Sequence, residues 1–179
     1  MKKTLKHFQQ IGAEFLRSRY HALLADEMGL GKTVTALAAI EALGHNRASR
    51  ILVVCPASVR LNWLQEAGEC LGPSLRTRVF HVISYNGASS PVTRRDLMKN
   101  YDVLVLDEAH YLKTPGSKRT QAIFGNAEGL ARRCTYKWCL TGTPVLNRPR
   151  ELYPILKTLH GKALGKYAEW ERFAQRYCG

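Results

Sequence analysis

The chain has 179 residues, 27 of them Lys or Arg against 14 Asp or Glu, for a formal net charge of +13 at pH 7. That length suits one domain able to bury roughly 70% of its unfolded surface, and a hydrophobic share of 45% excludes wholesale disorder. No apolar run approaches the ~18 residues of a membrane span, and Met1-Lys2-Lys3 is not followed by a signal-type stretch, so a soluble, intracellular chain with no membrane partner is expected.

His21-Ala22-Leu23-Leu24-Ala25 reads as a strand, and the Ala- and Leu-rich stretch 33–43 predicts a helix that Gly44 caps. Ile51-Leu52-Val53-Val54-Cys55 is a second strand. Ser58 is expected to cap a helix running to about Cys70, before the Gly72-Pro73 break. A strand over 78–83 and a helix over 92–99 follow. Val103-Leu104-Val105-Leu106 is apolar at every position, as in a strand covered on both faces of a parallel sheet. Ser117 starts a helix containing Thr120 to Phe124, and Trp138-Cys139-Leu140 is the last strand. Helices are read over 150–159, bent or restarted at Pro154, and over 167–177. Alternating strands and helices predict an α/β fold, a three-layer, doubly wound, mainly parallel sheet. In such sheets ligands gather beyond the carboxyl ends of the strands.

The five cysteines are scattered and form no C-x-x-C pair, so they read as reduced, mostly buried hydrophobes rather than zinc ligands or disulfides. The excess of positive charge reads either as a plain basic surface or as a phosphate-backbone partner, whose neutralised phosphates would release counterions.

Between the first strand and the first helix stands Asp26-Glu27-Met28-Gly29-Leu30-Gly31-Lys32-Thr33. Glycines let backbone N–H groups converge on an anion, and the helix N-terminus adds positive potential. In such a loop Lys32 reaches the β- and γ-phosphates of a nucleotide and the Thr33 hydroxyl takes magnesium. The strict G-x-x-x-x-G-K-[ST] pattern fails at Asp26, so an ordinary turn stays open as the alternative.

The strand 103–106 delivers Asp107-Glu108-Ala109-His110. A carboxylate there is costly unless a cation or donors compensate it. Asp107 is suited to hold magnesium with Thr33, mostly through its water shell, and Glu108 to orient and deprotonate an attacking water. A merely solvated Asp-Glu pair is the plain alternative, but its spacing of about 75 residues after a Lys-Thr loop favours the catalytic one.

Taken together, these residues resemble the Swi/Snf-type ATPases of helicase superfamily two. The loop DEMGLGKT resembles the first motif of that family, which carries Asp where the strict loop has Gly. Leu5-Lys6-His7-Phe8-Gln9 and the following Gly12-Ala13-Glu14-Phe15-Leu16 resemble its opening segment, with His7 in place of the usual Pro. Val54-Cys55-Pro56-Ala57-Ser58 with Asn62-Trp63 is similar to motif Ia, Ile83-Ser84-Tyr85 to motif Ib, and Asp107 to Lys113 to motif II. Leu140-Thr141-Gly142-Thr143-Pro144, with Asn147-Arg148-Pro149 and Glu151-Leu152, is similar to motif III and its extension. The ending Phe173-Ala174-Gln175-Arg176-Tyr177-Cys178, with the Asp-Glu-Ala-His run and the lack of long insertions, resembles the annealing-helicase and phage or bacterial subgroup.

That resemblance implies a RecA-like, P-loop ATP-binding lobe over residues 1–179. It implies ATP and magnesium as cofactors, an ATP site of Asp26, Met28, Gly29, Leu30, Gly31, Lys32 and Thr33, and Gln9 on adenine. His110, Thr141, Gly142 and Thr143 would sense the γ-phosphate and transmit lobe closure, unless they form a plain loop and turn. Duplex DNA is the implied partner, followed along its backbone without melting. Candidate contacts are Ser58, Asn62, Trp63, Ser84, Tyr85, Lys113, Lys118 and Arg119. Trp63, beside Leu61 and Leu64, reads more often as core than as a contact, Tyr85 divides evenly, and the basic run 113–119 also reads as a solvated loop. Arg94-Arg95, Arg132-Arg133 and the basic residues beyond Arg148 take no assignment. The motifs of the family's second lobe, with its arginine finger worth ~10³–10⁵ in rate, do not occur in these residues. Nucleotide binding with very slow turnover is therefore expected until a second RecA-like lobe completes the site in cis or in trans. A nucleotide-gated DNA-binding module without hydrolysis and an RNA helicase lobe are the competing readings. Localisation follows the host: cytoplasmic if bacterial or phage-encoded, nuclear if eukaryotic.

Overall fold

The computed structural model describes residues 3–125, 128–144 and 148–178. In chain order the elements are α1 (His7–Arg17), β1 (His21–Leu24), α2 (Lys32–Leu43), β2 (Arg50–Cys55), α3 (Arg60–Leu71), β3 (Val79–Ser84) and α4 (Tyr85–Ser89). They continue with α5 (Pro91–Leu97), β4 (Tyr101–Asp107), α6 (Lys118–Phe124), β5 (Cys134–Leu140), α7 (Tyr153–Leu164) and α8 (Trp170–Tyr177). The sheet has five parallel strands in the order β1-β5-β4-β2-β3.

The unbroken apolar strands stand at the centre. Ile51 to Cys55 on β2 and Val103 to Leu106 on β4 have no exposed surface, because helices cover both sides. Ile51, Val53, Val103, Val105, Trp138 and Leu140 pack with α1, α2 and α3. Leu52, Val54, Leu104, Leu106 and Cys139 pack with α4 to α7. The expected three-layer, doubly wound sheet is therefore present. Leu24 of β1 and Asp107 of β4 both pair with Leu140 of β5, so three neighbouring strands end level with one another.

Several boundaries differ from expectation. The opening motif residues form α1, whose buried Gln9, Gly12, Ala13 and Leu16 fall at helical spacing on one face. A side chain at Gly12 would come within 2.8 Å of Thr35 Cγ2, so α1 and α2 touch there. Ser58 is not a cap: it lies in a 3₁₀ turn, Ala57–Val59, and α3 begins only at Arg60. Ser117 does cap α6, its hydroxyl accepting from Thr120 N. Pro154 restarts rather than bends its helix, because it sits in the first turn of α7 where no N–H is needed. The expected helix 167–177 is split at Glu169 into a 3₁₀ turn and α8. β5 begins four residues earlier than Trp138, through Thr135 and Lys137 that interrupt the apolar pattern.

Cys55, Cys70, Cys134 and Cys139 are free and buried, and Cys178 is half-buried. Burial pushes the Cys55 and Cys134 thiols up to about 12, which makes them inert hydrophobes at neutral pH. Among the described residues no helix is long and apolar enough to cross a membrane.

Candidate active site at the carboxyl ends of the strands

β1 stops at Leu24, whose carbonyl accepts from Thr141 N at 3.1 Å, and the chain turns through 25–31 before α2. Gly29 (φ 82°) and Gly31 (φ 74°) take the left-handed conformation. A side chain at Gly31 would also come within 2.6 Å of Gln9 Nε2. Gln9 is buried against this turn: its Nε2 donates to Leu30 O at 3.1 Å and its Oε1 accepts from Lys6 N at 3.0 Å. Met28 and Leu30 are exposed at the rim. Lys32 is buried, with its ammonium folded into the loop, donating to Asp26 O at 2.9 Å and Glu27 O at 3.0 Å. Thr33 follows in the first turn of α2, half-buried, with its hydroxyl unengaged by any described residue.

Asp107 ends β4 at 8% exposure and is held from both faces of the sheet. Its Oδ2 accepts from Trp63 Nε1 at 2.8 Å, its Oδ1 from Glu108 N at 3.0 Å, and its backbone carbonyl from Tyr85 Oη at 2.7 Å. Burial raises its pKa above the usual carboxylate range. The Trp63 bond opposes that, the neighbouring Glu108 charge adds to it, and the Lys32 charge offsets part of it. Lys32, after the loop that follows β1, and Asp107, at the end of β4, stand at the same end of the sheet.

This corrects the reading of two candidates. Trp63 has no exposed surface and Tyr85 only 3%. Neither can touch a DNA track; both instead brace Asp107. Motif Ia and motif Ib side chains are contributed here to the carboxylate corner, one from each helical layer.

Glu108 adopts φ 52°, the left-handed region that costs a non-glycine residue ~1 kcal/mol. Its Oε2 lies 3.1 Å from His110 Nδ1, and the same ring nitrogen lies 3.2 Å from Thr141 Oγ1. Thr141 is fully buried and its hydroxyl accepts from Thr143 N at 3.2 Å. At Gly142 a side chain would meet Met28 Cγ at 2.6 Å and come within 3.4 Å of Lys32 Nζ, so the turn after β5 lies against the glycine-bearing loop. Four segments read separately in the sequence, around Gln9, Lys32, Asp107 and Thr141, thus converge.

The residues fit magnesium held through a triphosphate. The buried carboxylate carries a desolvation cost that a cation would relieve. One buried carboxylate and one hydroxyl suit magnesium, which keeps its waters and takes one or two protein ligands beside phosphate oxygens.

The remaining candidates line an outer rim. Ser58 and Asn62 are exposed at the start of α3. Ser84 uses its hydroxyl to accept from Gly87 N at 3.0 Å, capping α4. Lys113 Nζ lies 3.5 Å from Glu151, and Lys118 is exposed. Arg119 sits 5.5 Å over the ring of Tyr111, which stacks on Tyr85 at 5.4 Å and 2°. Tyr111 was no candidate in the sequence; its only signal was its place in the run after His110. It links the basic segment to the Asp107 corner through Tyr85. A cavity of about 370 Å³ opens beside Asn86, Ser89, Ser90, Ser117, Lys118 and Arg119. Asn147, in the expected extension of motif III, lies outside the described residues.

Comparison with known proteins agrees with this geometry. The chain matches the model of the SNF2-related domain over residues 8–105 and 77–178. It is 30% identical to the mouse DNA annealing helicase and endonuclease ZRANB3, across 99% of the chain and 18% of that protein. It is 32% identical to the Xenopus tropicalis SWI/SNF-related matrix-associated actin-dependent regulator of chromatin subfamily A-like protein 1, across 98% of the chain and 19% of that protein. The chain thus spans less than a fifth of these relatives. Among solved structures, the Sulfolobus solfataricus SWI2/SNF2 ATPase core in complex with dsDNA superposes with a TM-score of 0.80 at 25% identity, covering 98% of this chain and 39% of that one. These eukaryotic and archaeal relatives do not support the phage or bacterial part of the resemblance.

Proposed function

The chain belongs to the SNF2-related domain family, as a RecA-like first lobe of a helicase-like ATPase, and from that premise we propose that it binds ATP with magnesium and couples hydrolysis to movement along double-stranded DNA. What supports this most is that the Lys32 ammonium, which lies against the Gly142 turn after β5, and the Asp107 carboxylate stand together at the level carboxyl ends of β1, β5 and β4.

In this reading Lys32 leaves the carbonyls of Asp26 and Glu27 for phosphate oxygens. It exchanges hydrogen bonds to neutral acceptors, about 0.5–1.5 kcal/mol each, for charge-assisted ones of about 1.5–3 kcal/mol. Backbone N–H groups of the turn 29–31 and the start of α2 cradle the phosphates, and Gln9, at the loop's edge, takes the adenine. Thr33 and Asp107 would hold magnesium, which when bound supplies neutralisation of the charge on the phosphates. Trp63 and Tyr85 are positioning residues that fix Asp107 without touching nucleotide. Glu108 orients the attacking water and accepts its proton. His110, between Glu108 and Thr141, carries the state of that carboxylate to the turn Thr141-Gly142-Thr143. A second RecA-like lobe, in cis or in trans, supplies the arginine that stabilises the transition state. Ser58, Asn62, Ser84, Lys113, Lys118 and Arg119 bear the DNA backbone.

The test is binding of a fluorescent, non-hydrolysable ATP analogue to the chain with and without magnesium, alongside binding to duplex DNA and duplex RNA over a salt series. Magnesium-enhanced analogue binding lost in Lys32→Ala, and DNA binding whose salt slope falls by about 0.9 per removed phosphate contact in Lys118→Ala, are expected. Analogue binding indifferent to Lys32, or RNA bound more tightly than DNA, would overturn the proposal.

A further inference from the structure

Between α6 and α7, over the middle of β5, lies a cavity of about 510 Å³, within the ~300–1,000 Å³ typical of small-ligand sites. Three cations, Arg132, Lys137 and Lys157, contribute to its walls, and among the described residues no Asp or Glu does. Phe124 and Pro154 supply an apolar wall, and Gln121 a polar one.

Lys137 is the informative residue. It occupies a strand position between buried Tyr136 and Trp138, on the side of the sheet covered by α4 to α7, where an aliphatic residue would pack without penalty. Its ammonium meets a neutral acceptor, His21 Nε2, at 3.0 Å. His21 Nδ1 lies 2.9 Å from Leu159 O and so carries the ring proton, leaving Nε2 to accept. That engages one of the three ammonium donors and cancels none of its charge. Burial lowers the Lys137 pKa accordingly. Arg132 has no ion-pair partner among the described residues, and Lys157 lies 5.4 Å over the ring of Tyr153. A half-buried lysine on a central strand, facing a cavity walled by two more cations and with no carboxylate beside it, is costly unless an anion completes it.

We infer that this cleft binds a phosphate-bearing small ligand, with Lys137 at its floor and Arg132 and Lys157 closing on the phosphate oxygens. Arg132 supplies planar, paired donors and the lysines point charges. The site is distinct from the one at the strand ends. Lys137 pairs with His21 and Leu104, three positions short of the level reached by Leu24 and Asp107, which is about 10 Å along the strand. It also does not rest on the ATPase reading. The phosphate could come from inorganic pyrophosphate or from a nucleotide, and the two are told apart below.

The experiment is amide chemical-shift mapping of the isotope-labelled chain titrated with inorganic pyrophosphate, and separately with AMP, up to about 10 mM at constant ionic strength. Saturable shifts are expected at Thr120, Gln121, Lys157 and Thr158, persisting in Lys32→Ala. AMP binding more tightly than pyrophosphate identifies a nucleotide ligand; the reverse identifies a free phosphate compound. The double variant Arg132→Gln with Lys157→Gln, on exposed side chains, should weaken binding about tenfold or more, and Lys137→Met should abolish it. If Lys137→Met fails to fold, the surface pair decides. Shifts confined to 29–33, equal shifts with chloride, or unchanged affinity in the double variant would each overturn the inference.

Discussion

Asp107 receives a hydrogen bond from Trp63 on one carboxylate oxygen, from the Glu108 backbone N–H on the other and from Tyr85 on its carbonyl, the two side chains coming from opposite helical layers, whereas Lys118, Ser58 and Asn62, at the outer rim proposed to bear DNA, stand exposed. The first arrangement spends folding energy in advance: a charge is buried, desolvated and aimed, so that no reorganisation is needed when a cation and phosphate arrive. The second gains free energy only on binding, through counterions released from a polyanion. The difference teaches that variants of the buried corner should alter chemistry in discrete steps, and variants of the rim should alter affinity gradually and with salt.

The largest effect should come from Glu108→Gln. In a protein where this lobe is joined to its second lobe, turnover should fall about 10³-fold, as for the loss of a general base, with analogue binding unchanged. Steady-state phosphate release and equilibrium binding, measured on one preparation, check this. Retained turnover would remove Glu108 from the role of general base.

Trp63→Phe comes next and bears directly on the comparison. It keeps the ring in the core but deletes the donor to Asp107 Oδ2. Magnesium-dependent analogue binding should weaken by about 10–100-fold, the usual cost of losing a ligand's supporting bond, while magnesium-free binding stays the same. The indole N–H resonance of Trp63 should move on addition of magnesium nucleotide in the unmodified chain. If both binding modes fall equally, Trp63 is packing alone and the corner is no more organised than the rim.

What could be read in advance follows the same division. Runs such as Val103 to Leu106 identify themselves because every position is buried, and the glycine-bearing loop and the Asp-Glu pair carry chemistry within a few residues. Trp63 misled because its partner stands 44 residues away: nothing local distinguishes an indole that braces a carboxylate from one that stacks on a base. The helix α1 passed unseen as a helix because its buried face includes Gln9 and Gly12, which contribute no hydrophobic signal. The first half of β5 was hidden by Thr135 and Lys137, a polar interruption that is itself the floor of the cleft beside α6 and α7.

His21, at the opposite end of β1 from the Asp107 corner, supplies the smallest and most graded test. Burial, with the Lys137 charge second, holds its pKa below the ordinary value near 6.5. The unfolded chain therefore takes up a proton as pH falls through about 6.5 while the folded chain resists it. The stability that His21 contributes is thus complete above that pH and lost as pH drops toward the folded value. His21→Gln retains an amide donor for Leu159 O and removes the titration. The fall in Tm between pH 7.5 and 5.5 should be smaller in the variant than in the parent, and His81, also lowered by burial, is common to both and cancels. Equal slopes would show that the ring gains a proton without cost, which a neighbouring ammonium at 3.0 Å does not allow.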